Sequence, residues 1–182
     1  MGQKLAAYNT QGAITGFYDS VDSPVPSSIT NVIAITDQQW QTCLSTPGYV
    51  VVNGALIPPA PPSSTQLLSA AQATQIASLY SACSTAITAG FTSAALGAAH
   101  SYPSTLMDQS NQVTVSNNAA GGLLWCETGS AWSFVAHTQA QAQQVVADFS
   151  KYLNKKQSEL ITLTAAVNSA STVAAVQAVA WQ

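Results

Sequence analysis

The fold is decided by residues 49–68, which read Tyr49-Val50-Val51-Val52-Asn53-Gly54-Ala55-Leu56-Ile57-Pro58-Pro59-Ala60-Pro61-Pro62-Ser63-Ser64-Thr65-Gln66-Leu67-Leu68. Two short aliphatic runs, 49–52 and 55–57, flank Asn53-Gly54, the pair that most favours a two-residue turn with positive φ at both central positions. A hairpin is predicted there. The prolines at 58, 59, 61 and 62 cannot donate ladder hydrogen bonds and favour polyproline II, so the run ends the sheet and predicts a semi-rigid spacer. Ser63 or Ser64 then offers a side-chain oxygen to the first free amides of a helix. The stretch therefore predicts a small β-rich docking domain over 1–57, a Pro-rich linker over 58–63 and a second domain over 64–182.

Towards the N-terminus, residues 5–8 and 13–18 are short strand-like runs separated by Asn9-Thr10-Gln11-Gly12, a polar loop ending in Gly that suits a hairpin. Residues 29–35 are a third candidate strand. Thr36 and Gln39 meet the capping-box pattern, so a short helix through Trp40 is expected, ending near Pro47-Gly48. Towards the C-terminus, Leu67, Leu68, Ala71, Ile76, Leu79, Cys83 and Ile87 recur at helical spacing over 65–89, and Gly90 is placed to end that helix. Residues 91–104, interrupted by Gly97 and Pro103, are expected to be irregular. A further helix is expected from Ser104 or Thr105 to Asn117. Residues 123–127 and 131–136 alternate as two strands around Thr128-Gly129-Ser130. Thr138 caps a helix of about 20 residues or more through Val145, Phe149, Tyr152, Leu153, Leu160 and Leu163. Ser171 or Thr172 starts a last short helix through Val173, Val176 and Val179. The predicted class is α+β: a small N-terminal β-rich domain, a Pro-rich linker, and a mostly helical C-terminal domain with one β-hairpin near 123–136.

Of 182 residues, 47% are hydrophobic, enough to bury a core, yet only 6% are charged, against about 25% in an ordinary soluble domain. Surface polarity is left to Ser, Thr, Gln and Asn. So neutral a surface suits a protein that spends its life packed against other subunits. There is no Arg, only Lys4, Lys151, Lys155 and Lys156, and the net charge is -3. Phosphate neutralisation needs several cations on one face, so nucleic acid is not an expected partner. The lysines at 151, 155 and 156 read as one solvated helical face. Cys43, Cys83 and Cys126 form no CxxC pair, which argues against a disulfide framework and for synthesis in a reducing cytosol. The opening residues have no signal-peptide core, no run is long enough for a membrane span, and Ala6 breaks the myristoylation pattern; a soluble, unsecreted protein is expected.

Candidate chemistry is sparse. A nucleophile pair could be drawn from Cys126 with His100 or His137, but Cys126 sits in the alternation of a strand and reads as a buried structural thiol. His100, His137, Asp108 and Cys126 show no metal-ligand spacing. The seven acidic residues are scattered, which offers no acid pair of the glycosidase kind. Gly121-Gly122 lacks the GK[ST] of a phosphate loop. No catalytic, cofactor or metal site is predicted. The aromatic residues, among them Trp125 and Trp132, serve equally as core fillers and interface anchors, and core is the default. Trp40 and Trp181 are the candidate interface residues; Trp181, next to the last position, must dock somewhere or stay exposed.

Two segments resemble phage proteins. Tyr8-Asn9-Thr10-Gln11-Gly12-Ala13-Ile14-Thr15-Gly16-Phe17-Tyr18, then Val25-Pro26, Ile35-Thr36-Asp37-Gln38-Gln39-Trp40 and the Pro-rich run, resemble the N-terminal region of phage tail fibre assembly proteins over about 60 residues, where a Y-x-x-x-G-x-I-x-G-F-Y strand pair precedes an I-[ST]-x-x-x-W helix start. The second half is similar to a domain of unknown function found in phage tail proteins, through Ala89-Gly90-Phe91-Thr92-Ser93, Leu96-Gly97-Ala98-Ala99-His100-Ser101-Tyr102-Pro103-Ser104, Asp108-Gln109 with Asn111, Trp132, His137-Thr138-Gln139-Ala140-Gln141, and Ser171-Thr172-Val173-Ala174-Ala175-Val176. The resemblance implies a non-enzymatic virion protein of the tail or tail-fibre attachment region, made in the host cytoplasm. Its expected partners are other tail or fibre proteins and further copies of itself, with neither nucleic acid nor membrane. A tail fibre assembly chaperone is the alternative. The polar set His100, Tyr102, Asp108, Gln109, Asn111 and His137 is expected to form one hydrogen-bonded network that organises the irregular segment against the hairpin.

Overall fold

Lys4-Leu5-Ala6-Ala7-Tyr8 is flanked by partners on both sides in the computed structural model, which describes residues 2–182, and its small central residues suit that position. This strand, β1 (Lys4–Tyr8), pairs antiparallel with β2 (Ile14–Asp19) on one side and β3 (Val32–Ile35) on the other. Ala6 and Ala7 are fully buried. β3 starts at Val32, so residues 29–31 lie outside the strand predicted for them. Thr36 then caps α1 (Asp37–Ser45): its hydroxyl accepts from the Gln39 amide, and the Gln39 side chain accepts from the Thr36 amide. The Asn53-Gly54 hairpin joins β4 (Val50–Val52) to β5 (Ala55–Ile57) with φ of 51° and 75° at its two turn residues, the geometry its sequence calls for. Gly12 ties this hairpin to the loop after β1. Its φ is +82°, its carbonyl accepts from the Val51 amide at 2.7 Å, and a Cβ there would lie 2.3 Å from the Val51 oxygen. No other residue fits.

The compact unit built from these elements ends at Pro62, and a second runs from Ser63 to Gln182. In the second, Ser63 and Gln66 form the capping box of α2 (Ser64–Thr88). Residues 91–104 are not irregular. They carry β6 (Phe91–Ser93) and β7 (His100–Tyr102), which pair antiparallel in the register Phe91 with Tyr102. After α3 (Leu106–Asn117), β8 (Gly122–Thr128) and β9 (Ala131–His137) complete a four-stranded antiparallel sheet in the order β6-β7-β8-β9. The expected single hairpin is thus half of a sheet. Three-residue strands are too short to show a period, which hid β6 and β7. Thr138 opens α4 (Gln139–Ser169), and Thr172 opens α5 (Val173–Gln177). The chain is therefore mixed α+β with antiparallel sheets.

Two apolar clusters hold the second unit. Ala142, Val145 and Phe149 lie at helical spacing on the first half of α4 and bury Phe91, Tyr102, Leu124 and Cys126 of the sheet. The later turns of α4 bring Val167, with Leu160 and Leu163, against Leu79 of α2 and Val176 of α5. Each fully buried Leu, Val or Phe contributes about 1.5–3 kcal/mol relative to exposure. The Gln72 side chain of α2 bonds the Val167 carbonyl at 3.2 Å, satisfying the end of α4. No helix among the described residues is long and apolar enough to cross a membrane.

Candidate functional site

The sheet of the second unit has two faces of different character, and strand alternation assigns every residue of β8 and β9 to one of them. Leu124 and Cys126 of β8, with Val135 and His137 of β9, face α4. On this inner face His137 is buried, its Nδ1 lies 2.9 Å from the Val135 carbonyl, and its Nε2 lies 2.8 Å from the Tyr102 hydroxyl. A carbonyl only accepts, so in the neutral ring Nδ1 carries the proton and Nε2 accepts from Tyr102. Burial, then the neighbouring Cys126, pushes the Tyr102 phenol well above its ordinary range, which keeps it a donor. Burial also pushes up the Cys126 thiol, partly offset by the Tyr102 hydroxyl. A fully buried, protonated thiol is not presented to a substrate as a nucleophile.

The six residues expected to form one network are distributed over several local tasks. Among the described residues, the Tyr102–His137 bond is the one that joins two of them. His100 Nδ1 donates to the Glu127 carbonyl at 3.1 Å and ties β7 to β8. Asp108 closes the cap of α3, accepting from the Thr105 amide at 3.1 Å. Gln109 donates to the Ser104 carbonyl at 2.8 Å, and Asn111 is exposed on the same helix. The role expected of the set falls partly to residues outside it. Ser104 is fully buried, donates to the Ile87 carbonyl at 2.6 Å and accepts from the Gly90 amide at 2.9 Å. Gln112 is buried and donates to the Pro103 carbonyl at 2.8 Å. On α4, burial works against the Asp148 charge, but bonds from Gln144, Ser93 and Lys151 hold its carboxyl below the usual range.

The two candidate interface tryptophans are engaged within their own units. Trp40 stacks on Phe17 with ring centroids 5.8 Å apart, and Lys4 Nζ sits 4.5 Å from the Trp40 ring. That same ammonium bonds Asp19 at 2.6 Å; with the Val21 and Asp22 amides it holds the Asp19 carboxyl at about 2. Trp181 packs on the Leu79 cluster with Lys156 Nζ 5.4 Å from its ring. Lys156, also bonded to Glu159 at 3.0 Å, is therefore not part of one solvated lysine face.

The outer face gathers four exposed large apolar side chains on two adjacent strands. Leu123 and Trp125 of β8 and Trp132 and Phe134 of β9 point away from α4, and Phe134 is 64% exposed. Trp125 and Phe134 are direct cross-strand partners, with rings edge to face and centroids 4.9 Å apart. Asn111, Gln112 and Val115 of α3 face Leu123, Trp125 and Phe134 across a cleft of about 390 Å³. Leu106 and Met107, at the start of α3, are also exposed. Gly121 and Gly122 permit this arrangement: Gly121 has φ of +71° and would place a Cβ 2.1 Å from the His137 oxygen, while a Cβ on Gly122 would press on Val115 at 3.1 Å.

A signal for the outer face was present in the sequence. Leu123-Leu124-Trp125-Cys126 is apolar at both parities, and one parity already fills the core, so the other must face something else or water. Chemically, this surface offers apolar area with two indole N–H groups and little charge, which is the composition of a contact patch. Among the described residues no cluster of three His, Cys, Asp or Glu side chains could hold a metal ion. Comparison of the chain with family models, with curated proteins and with solved structures gives no match in any of the three.

Proposed function

We propose that the chain is a non-enzymatic structural component of a bacteriophage virion, in the tail or tail-fibre attachment region, working by protein–protein assembly. The observation that carries the assembly reading is the outer face of the β8–β9 hairpin, where Leu123, Trp125, Trp132 and Phe134 are exposed together in a chain with 6% charged residues. Contiguous exposed apolar groups of this kind mark contact sites. The phage context is supplied by the resemblance of the opening segment and of the second half to phage tail proteins. In this reading the β-rich unit docks on a tail or fibre partner, the proline run at 58–62 acts as a semi-rigid spacer, and the helical unit packs with neighbouring subunits.

Quantitative mass spectrometry of purified, salt-washed virions tests the proposal. A fixed stoichiometry relative to other tail proteins is the expected result, and its value would give the symmetry of the assembly. Absence from virions together with abundance in infected lysate would overturn it in favour of the assembly chaperone.

A further inference from the structure

We propose that the second unit pairs with a second copy of itself through the free edge of β9, joining two four-stranded sheets into one antiparallel sheet. The inference deepens the assembly reading by naming a partner and a surface, and rests on that reading only for its biological setting. β9 ends the sheet order, and β8 is its one strand partner among the described residues. The hairpin loop is the two residues Gly129-Ser130, with Gly129 at φ +69°. In such a hairpin the closing pair, Thr128 with Ala131, is hydrogen-bonded, and bonded and non-bonded pairs alternate from there. Ser133, Val135 and His137 therefore direct their amides and carbonyls to β8, while Trp132, Phe134 and Ala136 direct theirs outward.

That outward set fits itself. Phe134 lies at its centre, so a twofold axis through Phe134 sets Phe134 against its own copy and Trp132 against Ala136 of the second copy. All of the outward groups then fall in bonded pairs, with two hydrogen bonds to each pair. A shift by one residue would match outward groups with groups already bonded to β8. The chosen register also sets the large Trp132 beside the small Ala136, and it runs Trp125, Phe134 and Trp132 of both copies into one apolar strip on the outer face.

Nothing on the strand opposes this pairing. Ala131-Trp132-Ser133-Phe134-Val135-Ala136-His137 contains no Lys, Arg, Asp, Glu or Pro and no bulge, the devices by which sheet edges are kept apart. The one carboxylate on β8 and β9 is Glu127, cross-strand from Trp132 and so one strand back from the proposed joint. On the inner face, α4 starts beside the end of β9, and of the strands it packs most against β6, at the far edge of the sheet.

The test is hydrogen exchange on the full chain at low and high micromolar concentration, with sedimentation velocity on the same samples. A dimer at high concentration, with slower exchange confined in the hairpin to the amides of Trp132, Phe134 and Ala136, is expected. Ala136→Pro removes one outward donor without removing a bond to β8 and should weaken the dimer by about tenfold or more. Ala136→Lys, which places a charge at the joint and keeps the donor, should do the same and serves if the proline variant folds poorly. A chain that stays monomeric, or a dimer that leaves those three amides unprotected and ignores both variants, overturns the inference. Virion mass spectrometry fails or succeeds independently, so the two proposals can be told apart.

Discussion

The inner and outer faces of the β8–β9 hairpin are built from similar residues and end in opposite circumstances. Leu124 and Cys126 point one way and are buried under α4; Leu123 and Trp125 point the other way and are left open. The same two strands thus contribute to stability through one face and, in the proposed reading, offer association through the other. Apolar content alone does not decide which is which. The decision belongs to α4, whose Ala142, Val145 and Phe149 stripe packs on the side of the sheet that carries Leu124 and Cys126.

The comparison predicts a graded set of effects. Largest is Leu124→Ala. Removing a side chain that is 2% exposed leaves a void under α4, and such truncations cost about 2–5 kcal/mol. Denaturant unfolding followed by circular dichroism would show a lowered midpoint for the second unit. A change below about 1 kcal/mol would mean that the inner face is loosely packed and that the contrast between the faces is weak. Next is Tyr102→Phe, which keeps the ring and removes the donor to buried His137 Nε2. An unsatisfied buried acceptor costs about 1–3 kcal/mol. Tyr102→Phe with no loss of stability would show that His137 finds another partner. Smaller again is Thr138→Ala, which opens the capping box of α4. Loss of such a cap costs about 1 kcal/mol, readable in the same unfolding experiment.

What the sequence made legible follows from range. Thr36 with Gln39, Ser63 with Gln66 and Thr138 with Gln141 are satisfied within three residues, so the helix starts could be read directly. The Asn53-Gly54 turn is equally local. β6 and β7 were not legible, because three residues carry no period and their strand character comes from pairing across the 94–99 loop and onto β8. The polar set shows the same limit. Tyr102 and His137 do meet, but Asp108 and Gln109 bond Thr105 and Ser104 just before α3, and residue types alone do not separate local caps from long-range contacts. Trp40 and Trp181 are engaged within their own units, while for Trp125, Trp132 and Phe134 the sequence pattern shows two apolar faces and only the packing of α4 decides which of them stays exposed.

The smallest effect on stability is expected on the outer face, and it bears most directly on function. Phe134→Ser removes an exposed ring whose partner is Trp125 across the strand pair. Cross-strand aromatic pairs contribute about 0.2–1 kcal/mol, so the second unit should lose no more than that. Association should suffer far more. Covering a large apolar side chain contributes about 1.5–3 kcal/mol, and the ring is present in every copy that joins. If Phe134→Ser destabilised the isolated chain as strongly as Leu124→Ala, the outer face would be part of the fold and not a contact surface. If it left stability in place and lowered self-association in a sedimentation experiment, the two faces would be separated experimentally, one assigned to folding and the other to assembly.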